Sequence, residues 1–373
     1  MIDLFHFNTF IFALFTLAFL VQMIYIWGIF ARLSFYKSKT DKHIEKPVSV
    51  VITSRDDYYN LQKNLPQILT QDYPDYEVVL VNDHSDDDTG FYLKKMAEQY
   101  EHLKVVNMSH SVSFYPGKKF PLSIGIKSAK NDILLLTDAD CQVNSPDWIR
   151  NMQQGYDNKT QIVLGYGPYK QQKGFLNTLI RYYSYFTALQ YLSFALTKIP
   201  YMGVGRNLSY RKSLFYKNKG FISHYQVASG DDDLFINETA NNRNVKICIH
   251  PLSFTYSTPK TTFSQWTTQK RRHLSTGKMY KKKHQVLLSL YPLSLLMFYA
   301  LFAWQIYSDY LLYIVGGMMA FRLISFYIIQ KTSMNKLKEE KLFLFSPLLE
   351  LFIFLLNSIF VITNTLFKRS KWK

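Results

Sequence analysis

Cysteine is nearly absent from this chain: Cys141 and Cys248 are the only two in 373 residues. A pair this sparse supplies no zinc-site spacing, and in a reducing cytoplasm no disulfide is expected between them. Acidic residues are scarce too, 27 Asp and Glu against 44 Lys and Arg, for a net charge of +17. That excess does not point to nucleic acid, because the basic residues bunch at the boundaries of apolar runs, where anionic membrane lipids are the better partner. A phosphate-cradling GxxxxGK[ST] loop is missing, with only "GKK" at 117–119 and "GKM" at 277–279, which excludes a P-loop enzyme. No glycine follows the first strand, where "TSRDD" (53–57) stands, so the glycine-rich turn of a nucleotidyltransferase is excluded as well.

Charge is also missing from long stretches. Phe7 to Ala31 is uncharged, long enough to cross a hydrocarbon core of roughly 30 Å. It lacks the basic n-region and small-residue cleavage site of a secretory leader, so a retained anchor is expected. No Lys or Arg precedes it, while Arg32, Lys37, Lys39, Lys42 and Lys46 follow. The positive-inside rule then places residue 32 onward in the cytoplasm. Residues 286–306 and 310–330 read as a transmembrane hairpin, 331–342 as a cytoplasmic loop, and 343–367 as a third C-terminal helix. If that last helix spans, the closing "KRSKWK" (368–373) lies outside against the charge rule, so an interfacial course stays open. Arg322 and Glu350 each lie nine residues from a lysine boundary, Lys331 and Lys341. At 1.5 Å per residue both sit ~13 Å deep, and a buried arginine in lipid needs such a carboxylate as its partner.

Residues 47–280 hold the soluble part. "VSVVIT" (48–53), "YEVVLVND" (76–83), "LKVVNM" (103–108) and "DILLLTDAD" (132–140) are apolar runs suited to buried strands, and helical patterns fall at 58–69, 90–100 and 119–129. Such alternation predicts an α/β fold with a mostly parallel, doubly wound sheet, whose ligands bind beyond the carboxyl ends of the strands. Three acidic tips meet at that edge: Asp56-Asp57, Asp83, and Asp138 with Asp140. Residues i and i+2 of a strand share a side, so Asp138 and Asp140 present together and repel unless a cation intervenes. Hard oxygen ligands select Mg²⁺ or Mn²⁺, which bind substrate phosphates alongside one or two carboxylates. Asp86 to Asp88 read instead as an ordinary helix lead-in. Residues 175–212, dense in Tyr, Phe and Leu, fit an interfacial, acceptor-facing segment, with core helices as the competing reading; Gly203, Gly205 and Asn207 then form a close-approach turn.

The ordered set "VSVVITSRDD", "VVLVNDHSDD", "GKKFPLSIGI", "LLLTDADC", "SGDDDLFI" and "QKRRH" resembles the membrane-bound inverting glycosyltransferases of family 2. That family includes cellulose, chitin and hyaluronan synthases and ceramide glucosyltransferase. The resemblance covers about residues 47–280 and implies a GT-A (Rossmann-like) domain, a nucleotide-sugar donor, with UDP preferred, and a Mg²⁺ or Mn²⁺ cofactor. Carried over, Asp57 and Asp83 resemble contacts to the nucleotide base, with Thr53 beside them through its backbone. Lys118, or else Lys119, resembles the basic residue near the diphosphate. Asp138 faces the ribose or the metal, and Asp140 is the firmer metal ligand. "SGDDDLFI" puts Asp231 in the place of the general base, with Gly230 where glutamate is usual, so Asp232 stays a second candidate. "QKRRH" places Gln269 and Arg272 in a Gln-x-x-Arg-Trp signature, with His273 at the tryptophan position. The departure at His273 leaves acceptor type and processivity open. The expected activity is sugar transfer to a lipid or glycan acceptor by a multi-pass protein of the cell membrane with its catalytic domain in the cytoplasm. A processive polysaccharide synthase and an inactive scaffold of the same fold are the alternatives.

Overall fold

A computed structural model describes residues 2–37, 45–109 and 117–366. Lys39, Lys42 and the closing "KRSKWK" lie outside the described residues.

Strand β1 (Val48–Ser54) is buried along nearly its whole length. It pairs in parallel with β2 (Tyr76–Asp83) on one side and β4 (Ile133–Leu136) on the other. β3 (Leu103–Met108) extends β2 in parallel. Alternation along β1 sends Val50 and Ile52 to one face and Val51 to the other, feeding two separate apolar cores, as the period of two requires. Helices α2 (Tyr58–Leu69) and α3 (Thr89–Gln99) cover the first face with Leu61, Leu65, Ile68 and Leu93. Helix α4 (Lys119–Ser128) lies on the second with Leu122 and Ile126. The sheet continues through β7 (Leu208–Arg211), β6 (Ile162–Leu164) and β8 (Val245–Ile247), in the order β3-β2-β1-β4-β7-β6-β8. β7 is antiparallel to both its neighbours, so the sheet is mixed although mostly parallel. These last strands are three or four residues long, too short to show a period in the sequence. A small pair, β5 (Cys141–Val143) with β9 (Thr255–Ser257), stands beside the site edge.

Strand β4 is shorter than the sequence pattern suggests: it ends at Leu136, and Asp138 to Cys141 form a turn closed by the Cys141 amide on the Asp138 carbonyl at 3.0 Å. Asp138 and Asp140 therefore converge through a turn rather than through strand alternation.

Among the described residues, four helices are long and apolar enough to cross a membrane. The first, α1 (Ile2–Met23), runs through a π-helical stretch (Ile24–Phe30) into a last turn at Ala31–Ser34. Helix α5 (Phe175–Leu196) is largely buried, with Leu179, Ile180, Tyr182, Tyr185 and Leu189 almost without exposure. The interfacial reading of 175–212 gives way to the core reading, because its aromatics pack between the sheet and the apolar helices. Helices α8 (Lys282–Tyr307) and α9 (Leu312–Leu337) form the hairpin. Residues 331–337, read as loop, continue α9 instead. Just beyond, Glu339 is buried against Arg181 of α5 at 2.7 Å and accepts from the Tyr166 hydroxyl, so this stretch docks the hairpin onto the sheet domain.

Helix α10 (Ser346–Leu366) starts beside the hairpin. Arg322 and Glu350 pair at 2.7 Å, both with 0% side-chain exposure. Gln22 accepts from the same guanidinium at 3.1 Å, the Tyr299 hydroxyl accepts at 3.1 Å, and the Tyr291 hydroxyl donates to Glu350. Four helices thus share one polar knot in an apolar setting, where removing one partner of a buried pair costs about 3–5 kcal/mol. Arg322→Glu or Glu350→Arg alone is expected to abolish membrane-extracted, folded protein, and the double reversal to restore it. Equal loss in the double variant would show that the pair does not hold the helices together.

The course of α10 decides its relation to the membrane. Asn357 accepts from the Tyr183 hydroxyl of α5 at 3.1 Å, Phe360 packs on Trp266, and Asn364 exchanges two hydrogen bonds with Arg271. Trp266 and Arg271 belong to helix α7 (Phe263–Leu274) of the sheet domain. The first turns of α10 therefore meet the hairpin through Glu350 and its C-terminal half lies on α5 and α7 of the sheet domain, while Leu348, Phe352, Leu355, Ile359 and Ile362 form one exposed apolar stripe.

Candidate active site

The strand tips brace one another. Past β1 the Asp56 amide donates to Ser85 Oγ at 3.0 Å, and Asp56 in turn accepts from the Asp86 amide at 2.8 Å. Asp87 takes the Thr89 and Tyr58 amides at 3.0 and 3.1 Å, the plain structural role expected of that acidic run. Asp57 sits half-buried at the start of α2 and accepts from Asn60 at 2.9 Å; burial, with help from Asp138 and Asp87, raises its pKa despite that bond. Asp83 faces the His84 ring at 2.8 Å. Thr53, Asp57 and Asp83 line the tips next to the main cleft rather than its wall.

That cleft, about 290 Å³, is lined by Lys118, Asp138, Asp140, Asp231, Gln269, Arg272 and His273 among others. Lys118 closes its acidic end: its ammonium bonds the Asp138 carboxylate and lies 3.9 Å from Asp231. Burial would push Asp138 up, but Lys118 overrides it and the carboxyl is held low, whereas burial and the neighbouring Asp138 charge push Asp140 up. This is the split expected of two carboxylates with one local cation. Lys119 points away, donating to the carbonyls of His224 and Val227, so of the two lysines Lys118 alone reaches the acidic pair. Gly117 has φ +105°, and a side chain there would meet the Ala228 carbonyl at 2.6 Å. "GKK" therefore locks the loop that carries Asp231.

The three aspartates of "GDDD" differ sharply. Asp232 is the N-cap of α6 (Asp233–Thr239) and accepts from the amides of Asp233 and Gly205, each at 2.7 Å. Burial, with Asp231 and Asp233 beside it, pushes its pKa up to about 8. Asp233 accepts from Leu234, Thr276 and Tyr280 and anchors the segment after α7. Asp231 makes neither kind of bond among the described residues, and its carboxylate faces Lys118. Gly205, read as a close-approach turn, serves by giving Asp232 its amide. Asn207 is structural: it accepts from Trp148 and donates to the carbonyls of Tyr166 and Ser253.

Helix α7 brings the opposite wall. Its N-cap Thr262 accepts from the Gln265 amide at 3.3 Å, and Trp266 is fully buried against Tyr183. That burial turns Gln269, Arg272 and His273 toward the cleft. His273 is reached by solvent at its rim, yet the protein around it, with Lys270, Arg272 and Arg206, keeps its imidazole neutral. Two cations were not legible as site residues: Arg206, stacked over Tyr169 at 4.2 Å, and Lys270, over Tyr183 at 4.2 Å. Arg206 stood within "GVGRN" and Lys270 within "QKRRH", but nothing in the spacing marks which cation of a basic run turns inward.

Oxygens of Asp138 and Asp140 and the Cys141 sulfur lie within 4.8 Å of one another. The Cys141 thiol is pushed up to about 12 by burial and by Asp140 and Asp138, and it shares a hydrogen bond with Ser257 at 3.1 Å, so it stays protonated. Two hard carboxylates open to a cleft are then the donor set, which fits Mg²⁺ or Mn²⁺ with further ligands from water and phosphate.

Residues 49–218 match the family model described as "Glycosyl transferase family 2". The chain is similar to the "Probable glycosyltransferase YdaM" of Bacillus subtilis (strain 168), 24% identical over 237 residues, 60% of this chain and 54% of that protein. It is also similar to the "Beta-monoglucosyldiacylglycerol synthase" of Trichormus variabilis, 28% identical over 119 residues, 31% of this chain and 25% of that protein. The chain thus spans about half or less of these relatives' lengths. Among solved structures, the mannosyltransferase PcManGT from Pyrobaculum calidifontis in complex with GDP-Man and Mn²⁺ aligns with a TM-score of 0.57 at 17% identity, covering 90% of this chain and 99% of that one. At that identity the likeness concerns the fold, which is GT-A.

Proposed function

We infer, for a chain that belongs to glycosyltransferase family 2, transfer of a sugar from a nucleotide-diphosphate sugar to a lipid or lipid-linked acceptor, with inversion at the anomeric carbon. The observation that carries this reading is Lys118, which joins the acidic turn after β4 to Asp231 at the start of α6 across one cleft. Donor and acceptor chemistry thereby meet within a few ångströms.

Asp231 is the proposed base. Asp232 is held by two backbone amides and suits the cap better. The acceptor hydroxyl oxygen attacks the anomeric carbon as Asp231 takes its proton; the bond from that carbon to the diphosphate oxygen breaks, and the electron pair leaves with the nucleoside diphosphate. Lys118 and Arg272 flank the departing charge. Asp140, with Asp138, would hold the divalent ion, which when bound supplies electrostatic stabilisation of that charge. Asp57 and Asp83, with the Thr53 backbone, are assigned to the nucleotide base, and Gln269 and His273 to the cover over donor and acceptor. The membrane-lipid homologue from Trichormus variabilis supports a lipid acceptor.

In this reading α1, α8 and α9 cross the bilayer and the sheet domain is cytoplasmic, in keeping with Arg32 and Lys37 after α1. Helix α10 lies in the interface, its stripe in lipid and its other face on α5 and α7. A Thr363→Cys variant is expected to react with an impermeant maleimide from the same side as a Lys46→Cys variant. Labelling from opposite sides would make α10 a span. The function itself is tested by incubating native membranes with a panel of radiolabelled nucleotide sugars and extracting the product. One donor should label a lipid of fixed size, whereas a label in long polymer would favour a synthase and no label would reject the transferase.

A further inference from the structure

Arg206 is a cation of the cleft whose hydrogen bonding is incomplete. It sits on a single turn (Gly205–Asn207), and its carbonyl accepts from the Thr137 hydroxyl at 3.0 Å and the Thr255 hydroxyl at 2.8 Å. Thr137 immediately precedes Asp138, so the backbone of Arg206 is fastened to the acidic turn itself. The side chain lies over the Tyr169 ring at 4.2 Å, and Gly167 leaves it room: a Cβ there would meet Arg206 Cβ at 3.1 Å. One terminal nitrogen, Nη2, donates to Ser184 Oγ at 3.2 Å, while Nη1 is buried without a hydrogen-bond partner. A buried donor with no acceptor is rare in folded proteins, and a charged one is costly.

The metal carboxylates feel this charge without bonding it. Burial and Asp138 push the Asp140 carboxyl up, and Arg206 pulls against them; at Asp138, buried likewise, Arg206 adds to the stronger pull of Lys118. Among the described residues no carboxylate forms an ion pair with Arg206. Had the arginine served only to neutralise the aspartates, closing on them would have satisfied Nη1. What lies between the guanidinium and the acidic turn is instead the cleft that both line. Divalent ions held by one or two carboxylates also bind substrate phosphates, so a diphosphate oxygen reaches that space from the carboxylate side. The guanidinium is braced by its stacking and its second nitrogen before the anion arrives, the preorganisation that stabilising a leaving group needs.

We propose that Arg206 is a catalytic residue of the transfer, its Nη1 donating to the β-phosphate of the nucleotide-diphosphate sugar independently of the metal. As the bond from the anomeric carbon to the β-phosphate oxygen breaks, the electron pair stays on that oxygen. The Arg206 N–H offsets part of the new charge and keeps its proton. The proposal rests on the glycosyltransferase reading and adds to Lys118 and Arg272 a third hold on the leaving group, one that no chelator removes.

Full-length protein in detergent is titrated with UDP, UMP, GDP and GMP, in Mn²⁺ and again in EDTA, by calorimetry. For whichever base binds, Arg206→Gln should weaken the diphosphate about tenfold or more, the worth of a charge-assisted hydrogen bond. The monophosphate should weaken less than about twofold. The diphosphate loss should be as large in EDTA as in Mn²⁺. Transfer should fall by about 10²–10³-fold, as for loss of one preorganised donor. Should Arg206→Gln fail to fold, Ser184→Ala, which keeps the charge and frees Nη2, should weaken the diphosphate alone by about threefold, as loss of a typical hydrogen bond implies. A diphosphate preference that survives both substitutions would overturn the assignment. So would equal weakening of both nucleotides, which would put the guanidinium at the α-phosphate or the nucleoside. Tighter Mn²⁺ binding in Arg206→Gln with unchanged diphosphate affinity in EDTA would overturn it too, making the arginine a counter-charge to the aspartates. Absence of any nucleotide binding by the unmodified protein would instead count against the transferase reading.

Discussion

Asp231→Asn is expected to lower transfer by about 10²–10⁴-fold, the usual worth of a general base, with nucleotide affinity unchanged within about twofold. The change is nearly isosteric and touches no backbone hydrogen bond, since Asp232 and Asp233 carry those of the α6 start. It removes one charge near Lys118, at 3.9 Å, while the stronger partner Asp138 stays in place. Donor binding should therefore survive. Asp232→Asn gives the contrasting result: one of two cap bonds is lost, and the expected effect is a lower melting temperature before any selective loss of kcat. A fully active Asp231→Asn protein would move the base to another group.

The second large effect is expected at Asp140. Asp140→Ala should abolish the chelator-sensitive part of nucleotide binding and cut transfer by on the order of 10²-fold or more, as loss of several kcal/mol of charge stabilisation implies. Lys118 already neutralises Asp138, and among the described residues no cation bonds Asp140, which feels Arg206 only from a distance. In the unmodified protein EDTA should weaken nucleotide binding, and added Mn²⁺ or Mg²⁺ should restore it; in Asp140→Ala neither should act. Identical chelator sensitivity in both would remove Asp140 from the metal site.

Much of this arrangement was legible because local patterns and tertiary structure agree. β1 and β2 are apolar, valine-rich runs buried on both faces, β3 is a half-exposed edge strand with its two valines inward of Lys104 and Asn107, and α2 falls at Tyr58–Leu69 as its leucine spacing indicates. The acidic tips followed from strand direction alone. The errors arose where a run of letters is ambiguous. "ILLLTDAD" does not say where pairing stops, and the turn at Asp138 to Cys141 is set by a backbone bond, not by propensity. Helix α5 reads as amphipathic only because its tyrosines count as polar; buried, three of them find hydroxyl partners, Tyr183 at Asn357, Tyr185 at Ser333 and Tyr191 at the Gly165 carbonyl. The Arg322–Glu350 pair was readable from matched positions, whereas its third partner, Gln22, some 300 residues away on α1, was not. Lys270 and Arg206 were hidden for the same reason: burial of a cation is decided by Tyr183 and Tyr169, which lie far off in sequence.

The central claim is a single displacement at this cleft, with Asp231 opposite the departing diphosphate. Its most direct test is the anomeric configuration of the lipid product made by the full-length protein, read from the proton coupling of the transferred sugar. An α-linked nucleotide sugar giving a β-linked product is the outcome expected here; an α-linked product would contradict the account.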